Sequence, residues 1–189
     1  SEYDVALSTG EQVTSALLAI SLDKIKVKAR SWLGWQVPIY TNSTFGKAII
    51  EEVKTESIIN YFDTHQVAII SGFQGVSDNN RITTLGRGGS DTSAVAVAAA
   101  FSAERCDIFT DVDGVYTTDP RIVKSAKKLN QITYEEMLEL ASQGAKVLQT
   151  RSVALAMKYN VKLRVLSSFE DLPGTSIIKE EKNMEKTEI

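Results

Sequence analysis

The chain has 189 residues, of which 43% are hydrophobic and 24% charged, with a formal net charge of −3, so it has the composition of an ordinary globular domain and the length to bury a sizeable core. The lack of a basic balance argues against nucleic acid as a partner, and a single cysteine, Cys106, excludes an internal disulfide framework and a zinc-ligand cluster. No signal peptide is evident and no apolar run is read as reaching the roughly 18 residues of a membrane helix, so a cytoplasmic protein with no membrane partner is expected.

Residues 9–22 predict a helix with Val13, Leu17, Leu18 and Ile20 on one face. Residues 25–31 alternate as a strand does, and 32–46, with Trp32, Gly34, Trp35 and Pro38, predict a surface hairpin packed on its own aromatics. A regular rhythm follows: strand 48–53, helix 56–64, buried strand 67–73 ending at Gly72, loop 74–89, helix 90–104, strand 106–112 and a long loop 113–130. Thr133 with Glu136 forms a capping-box start for a helix over 134–142; Gly144 punctuates it, and a helix over 150–159 and a strand over 161–166 complete the series. Strands alternating with helices of this length indicate an α/β fold with a mainly parallel sheet. From Lys179 the sequence is charged and non-periodic and reads as a linker or tail, 179–189. Cys106, in the run Cys-Asp-Ile-Phe, reads as a core residue, and His65, at a helix–strand junction, as solvated.

The most informative stretch is 84–100, a glycine loop running straight into an alanine-rich helix. Gly86, Gly88 and Gly89 allow a sharp turn and close approach to a ligand. Ser90 or Asp91 is placed to cap the helix, whose first N–H groups and dipole favour an anion. Arg87 adds a cation able to grip a carboxylate or phosphate with two hydrogen bonds, and Asp91 a carboxylate suited to orienting a cation or bound group. The loop is neither a Walker A motif nor a dinucleotide fingerprint, since no Gly-Lys-Ser/Thr follows and Asp91 stands at the third glycine position.

In open α/β sheets ligands bind beyond the carboxyl ends of strands, which directs attention to 72–91 and 110–121. Residues 110–121, Thr-Asp-Val-Asp-Gly-Val-Tyr-Thr-Thr-Asp-Pro-Arg, fail as a calcium loop because Ile122 stands where a glutamate is needed. Two functional readings remain beside a purely structural loop pinned by Asx turns and Pro120. One is the first motif of a haloacid-dehalogenase-type phosphatase with Asp111 as nucleophile. The other is a nucleotide site in which Thr110 and Asp111 bond a base or ribose, Tyr116 packs on it and Arg121 meets the phosphates.

Five stretches taken together, Ser8-Thr9-Gly10-Glu11, Gly72-Phe73-Gln74-Gly75, Thr84–Asp91, Thr110–Arg121 and Gly144-Ala145-Lys146-Val147-Leu148, resemble the aspartokinases of the amino acid kinase family, in that family's order and across residues 1–178. The resemblance implies a three-layer αβα sandwich and a transferase that uses ATP and Mg2+ to phosphorylate the side-chain carboxylate of L-aspartate. The product, 4-phospho-L-aspartate, would enter lysine, threonine and methionine synthesis. By position, Arg87 would clamp a substrate carboxylate and Glu11 its ammonium, with Gly88, Gly89 and Ser90 also binding substrate, and Asp91, catalytic together with Arg87, would organise the catalytic groups. Thr110, Asp111, Tyr116, Arg121, Lys146 and Val147 match positions lining the nucleotide site. Two simpler roles compete: Ser8-x-x-Glu11 is also a capping box, and Lys146 is also an exposed charge near a helix end. The family's initial strand with its Lys-x-Gly-Gly loop and its C-terminal ACT modules are not matched within these 189 residues, so weak or no activity is expected of the segment alone. The alternative function is a non-catalytic, nucleotide-binding remnant or partner subunit, and homodimerisation is a further expectation.

Overall fold

The computed structural model describes residues 1–144 and 147–180, which form two compact units divided between Ala103 and Glu104. The first unit opens with a long helix, α1 (Glu2–Lys24), which stops where Lys26 takes a left-handed backbone and its N–H bonds back to Asp23 O. It carries two parallel strands, β1 (Ala29–Trp32) and β4 (Val67–Ile70), and a mixed sheet of β2 (Ile39–Thr41), β3 (Ile50–Val53), β5 (Gln74–Val76) and β6 (Ile82–Thr84) in the order β3-β2-β5-β6. Helices α2 (Glu56–Tyr61) and α3 (Gly89–Ala100) complete it.

α1 starts seven residues earlier than expected and is turned the other way. Val13, Leu17, Leu18 and Ile20, which gave the helix its period, are 57%, 56%, 50% and 55% exposed, while Asp4, Ser8 and Ser15 are buried. The inward stripe is polar because it meets strand ends and loop backbone, whose N–H and C=O groups need partners. By length and composition α1 is also apolar enough to cross a membrane, contrary to the reading of the sequence. Its polar stripe is nevertheless spent inside this unit, where the helix packs on β1, β4 and β6.

The predicted hairpin over 32–46 is instead part of the core. Trp32 ends β1, 6% exposed, and packs edge-on against Tyr61 at 5.4 Å and 84°. With Val37, Ile39, Ile58 and Tyr61 it forms the cluster under the mixed sheet, and β2 pairs antiparallel with β3 and parallel with β5. Trp35 alone of the pair is exposed. His65 is not merely solvated: its ring stacks on Tyr61 at 4.0 Å. The predicted loop 74–89 contains the antiparallel hairpin β5–β6, with Gly75 opposite Thr83, so the irregular part shrinks to 85–88.

The second unit holds β7 (Cys106–Thr110), β8 (Gln131–Thr133), α4 (Tyr134–Ser142), α5 (Thr150–Tyr159), β9 (Leu163–Ser167) and β10 (Thr175–Ile178), with sheet order β7-β9-β10-β8. The capping box forms as expected: Thr133 Oγ1 accepts from Glu136 N at 3.2 Å and Glu136 Oε2 from Thr133 N at 2.9 Å. α5 ends at Asn160 in the left-handed region, and Cys106 is buried in β7. β8 and β10 were not anticipated; both are too short to show a period, and β10 runs antiparallel to β9. The sheets are therefore parallel-rich but mixed. Of the expected tail, 181–189 lie outside the described residues.

Gly174 closes the turn into β10 with φ +67°, and a Cβ there would lie 2.0 Å from Val165 O; Gly46 has a similar φ, +74°, with nothing within 4 Å. Gly46→Ala should therefore cost only the left-handed backbone, about 1–2 kcal/mol, whereas Gly174→Ala adds a backbone clash and should exceed about 3 kcal/mol by chemical denaturation.

Candidate functional site

In the first unit the glycine turn is built by backbone geometry. Gly86 and Gly88 have φ of +72° and +71°, and Gly89 N donates to Gly86 O at 3.0 Å. A Cβ on Gly86 would lie 2.7 Å from Gly46 O, and one on Gly89 2.8 Å from the Phe73 ring and 2.9 Å from Leu85 Cβ. The N-cap of α3 is Gly88, without a side-chain cap, rather than Ser90 or Asp91. A left-handed residue at that position turns the chain so that Ser90 is exposed and Asp91 lies in the first helical turn. Arg87 is exposed at the apex.

Asp91 is half-buried and its carboxylate has no hydrogen bond or ion pair among the described residues. Burial raises its carboxyl above the ordinary carboxylate range. The helix dipole favours its charge, but nothing in the unit pairs with it.

The segment 71–74, just past β4, joins this turn to α1. On one side Ser71 Oγ donates to Ser15 Oγ at 3.1 Å and to Glu11 O at 3.5 Å, and the buried Gln74 donates to Ser8 O at 3.2 Å and accepts from Gln12 Nε2 at 3.1 Å. On the other, Phe73 N donates to Ser93 Oγ at 3.0 Å and Phe73 O accepts from Leu85 N at 3.0 Å. Phe73 itself has φ +64°, a strained conformation for a bulky residue that both flanks hold in place. Glu11 thus stands on one side of this segment and the Gly86–Asp91 turn on the other. The Glu11 carboxylate is half-buried and unpartnered among the described residues. The capping-box alternative fails, since Glu11 lies mid-helix and Ser8 Oγ donates to Val5 O at 2.8 Å.

In the second unit Thr110 ends β7 beside Ser167 of β9, and Thr110 O accepts from Ser168 N at 2.8 Å. The carboxyl ends of two parallel strands therefore meet here. Thr110 Oγ1 donates to Asp111 Oδ1 at 3.1 Å. Tyr116 is half-buried, its hydroxyl donating to Asp113 Oδ1 at 3.0 Å, and Lys128 Nζ donates to Asp113 Oδ2 at 3.3 Å. Burial opposes the charge of Asp113, but these donors outweigh it and hold the carboxyl below its usual range, while burial and then Asp113 push the Tyr116 hydroxyl up. Arg121, exposed, is held by Asp119 through Nε–Oδ1 at 3.0 Å and an NH2–Oδ2 contact at 2.8 Å. Val147 is half-buried, and Lys146 lies outside the described residues.

The structure thus groups Glu11, Arg87, Gly88, Gly89, Ser90 and Asp91 in the first unit and Thr110, Asp111, Tyr116, Arg121 and Val147 in the second. Sequence reasoning missed Gln74, Asp113 and Asp4. Asp4 lies before the expected helix and Gln74 in the expected loop, so neither was marked for burial; Asp4 is buried in α1 and Gln74 in β5, where its side chain bonds α1 and packs beside Gly34. Among the described residues no three His, Cys, Asp or Glu side chains gather as a metal site.

The profile of the amino acid kinase family matches residues 1–167. The chain is 54% identical over 185 residues to the aspartokinase of Rickettsia felis, covering 97% of this chain and 46% of that protein. It is 56% identical over 186 residues to the aspartate kinase of Pseudomonas fluorescens, covering 98% and 45%. It spans less than half the length of these relatives. The structure of E. coli aspartokinase III in complex with aspartate and ADP (R-state) superposes with a TM-score of 0.87 at 35% identity, over 95% of this chain and 41% of that one. The UMP kinase of Bacillus anthracis shares the fold, with a TM-score of 0.70 at 21% identity, over 95% and 70%.

Asp91→Asn gives a direct test of the desolvated carboxylate. Because the folded state disfavours its charge, Asp91 costs stability above the unfolded-state pKa, and that cost disappears as pH falls below it. Thermal unfolding should show Asp91→Asn more stable than wild type at pH 7 and equal to it at about pH 3.

Proposed function

Because the chain belongs to the amino acid kinase family, we propose that it carries the aspartate-kinase reaction: transfer of the γ-phosphoryl group of ATP to the side-chain carboxylate of L-aspartate, releasing ADP. On this reading it serves the first step of lysine, threonine and methionine synthesis, in the cytoplasm. The observation that carries the reading is the arrangement about segment 71–74. An unpartnered glutamate, Glu11, stands on one side and an arginine-bearing glycine turn on the other. The relatives' names and the aspartate and ADP in the E. coli complex support the same substrates, and favour catalysis over a non-catalytic remnant.

An amino acid offers an ammonium and two carboxylates. Glu11 pairs with the ammonium and Arg87 with the α-carboxylate, leaving the side-chain carboxylate to attack phosphorus. That carboxylate is ionised at neutral pH, so the step needs no general base, consistent with a chain whose one histidine, His65, is stacked on Tyr61. Phosphoryl transfer asks mainly for positioning and charge neutralisation. Backbone N–H groups at the start of α3 and the Arg87 guanidinium supply positive potential, and Asp91 orients the cationic groups about it.

Thr110, Asp111, Tyr116, Arg121, Lys146 and Val147 are assigned to the nucleotide. Tyr116 presents a ring steadied by Asp113, and Arg121 a guanidinium whose partner, Asp119, is exchangeable for phosphate because the pair is solvent-exposed. Bound Mg-ATP supplies the phosphoryl group, with Mg2+ neutralising its charge. Mg2+ typically uses one or two carboxylates plus phosphates and water.

The complete gene product, given ATP, Mg2+ and L-aspartate, should form an acyl phosphate that hydroxylamine traps as the hydroxamate. Arg87→Ala should lower kcat/KM for aspartate by about 10- to 150-fold, the loss of a hydrogen-bonded charge pair. No hydroxamate from the wild type, or an Arg87→Ala variant of unchanged efficiency, would contradict the reading.

A further inference from the structure

We propose that Asp4 is a positioning residue for the substrate turn: its buried carboxylate, on the same face of α1 as Glu11, anchors the backbone on which the Gly86–Asp91 turn rests. The inference builds on the aspartate-kinase reading and assigns a residue that the five motif stretches do not include.

Asp4 is 1% exposed. Its Oδ1 accepts three hydrogen bonds, from Gly46 N at 2.7 Å, Thr84 N at 2.9 Å and Thr84 Oγ1 at 2.7 Å, while Oδ2 faces the Ser1 hydroxyl. An ionised carboxylate taken out of water is costly unless fully bonded, so three donors on one oxygen mark a built contact rather than a stray charge.

Both anchored residues hold the glycine turn. Thr84 ends β6 and leads directly into Leu85, whose amide is fixed by Phe73 O. Gly46 presents its carbonyl against Gly86, close enough that a Cβ there would lie 2.7 Å away. Asp4 therefore fixes the turn's entry through Thr84 and its floor through Gly46. Asp4 and Glu11 are seven residues apart, two helical turns, which puts both on one face about 10 Å apart along the axis. One rigid helix then carries both the group that anchors the turn and the carboxylate that receives the substrate's ammonium. The span from Glu11 to Arg87, which must match one aspartate molecule, is set through Asp4. A loosened anchor weakens aspartate binding while leaving the nucleotide residues, which belong to the other unit, as they were.

The test compares Asp4→Ala and Asp4→Asn in the complete gene product, by kinetics and by amide hydrogen exchange. Asp4→Ala should raise KM for aspartate about tenfold or more while KM for ATP moves less than about twofold. Asp4→Asn, which keeps a carbonyl oxygen in place of Oδ1, should recover most of that loss. Amides of Gly46 and Thr84 should exchange faster in Asp4→Ala, with those of β7 unchanged. Should Asp4→Ala fail to fold, Thr84→Val, which removes one of the three donors, should raise KM for aspartate in the same direction by about threefold. An unchanged aspartate KM, a parallel rise in both KM values, or unaltered exchange at Thr84 would overturn the proposal. A wild type without aspartate-dependent turnover would instead refute the kinase reading, and the exchange data would still decide the anchor.

Discussion

The polar inward face of α1 is the constraint on which the first unit depends. A helix that docked through leucines could slide or rotate by a turn at modest cost, because apolar contacts are non-directional. Asp4, Ser8, Gln12 and Ser15 instead bond named atoms of Thr84, Gly46, Gln74 and Ser71, and each bond fixes a register. Unmaking any of them leaves buried donors or acceptors without water, at about 1–3 kcal/mol each. The helix is held by specificity rather than by area, and it carries Glu11. Burial works against the charge of Asp4, yet the donors from Ser1, Thr84 and Gly46 prevail and keep its carboxyl well below the ordinary carboxylate range. The anchor therefore stays ionised across the pH range in which an enzyme works.

The two groups of candidate residues differ in how they are prepared. In the first unit the unpartnered carboxylates of Glu11 and Asp91 sit on helices, fixed by backbone and waiting for a partner. In the second, charges are already neutralised locally: Asp113 by Tyr116 and Lys128, Arg121 by Asp119. Open partners suit a small amino acid that must be gripped at each charge. Exchangeable partners suit a polyanion that arrives with its own metal.

Legibility in the sequence followed the physics of each signal. The glycine turn was readable because left-handed backbone at Gly86 and Gly88 and lack of room at Gly86 and Gly89 admit few other residues. The capping box at Thr133 and Glu136 is a four-residue signal with one geometric solution, and α4 starts there. The orientation of α1 was not readable, since its apolar period was real but faces outward. Periodicity reports which residues share a face, and the side that is buried depends on what the helix meets. The segment 32–46 misled for a related reason: Pro38 and Gly34 signal a turn, but whether Trp32 lies over solvent or over Tyr61 is decided by α2, far along the chain. β8 and β10 exist by pairing with neighbours and carry no period of their own.

On the proposed function, aspartate is received by the first unit and nucleotide by the second. Amide hydrogen exchange of the complete gene product, with L-aspartate alone and with ADP alone, tests it most directly. L-Aspartate should protect amides over 8–15, 71–74 and 84–91 and leave 106–121 unchanged, and ADP should protect 110–121. Protection by aspartate centred on 110–121, or no aspartate-dependent protection about the glycine turn, would contradict it.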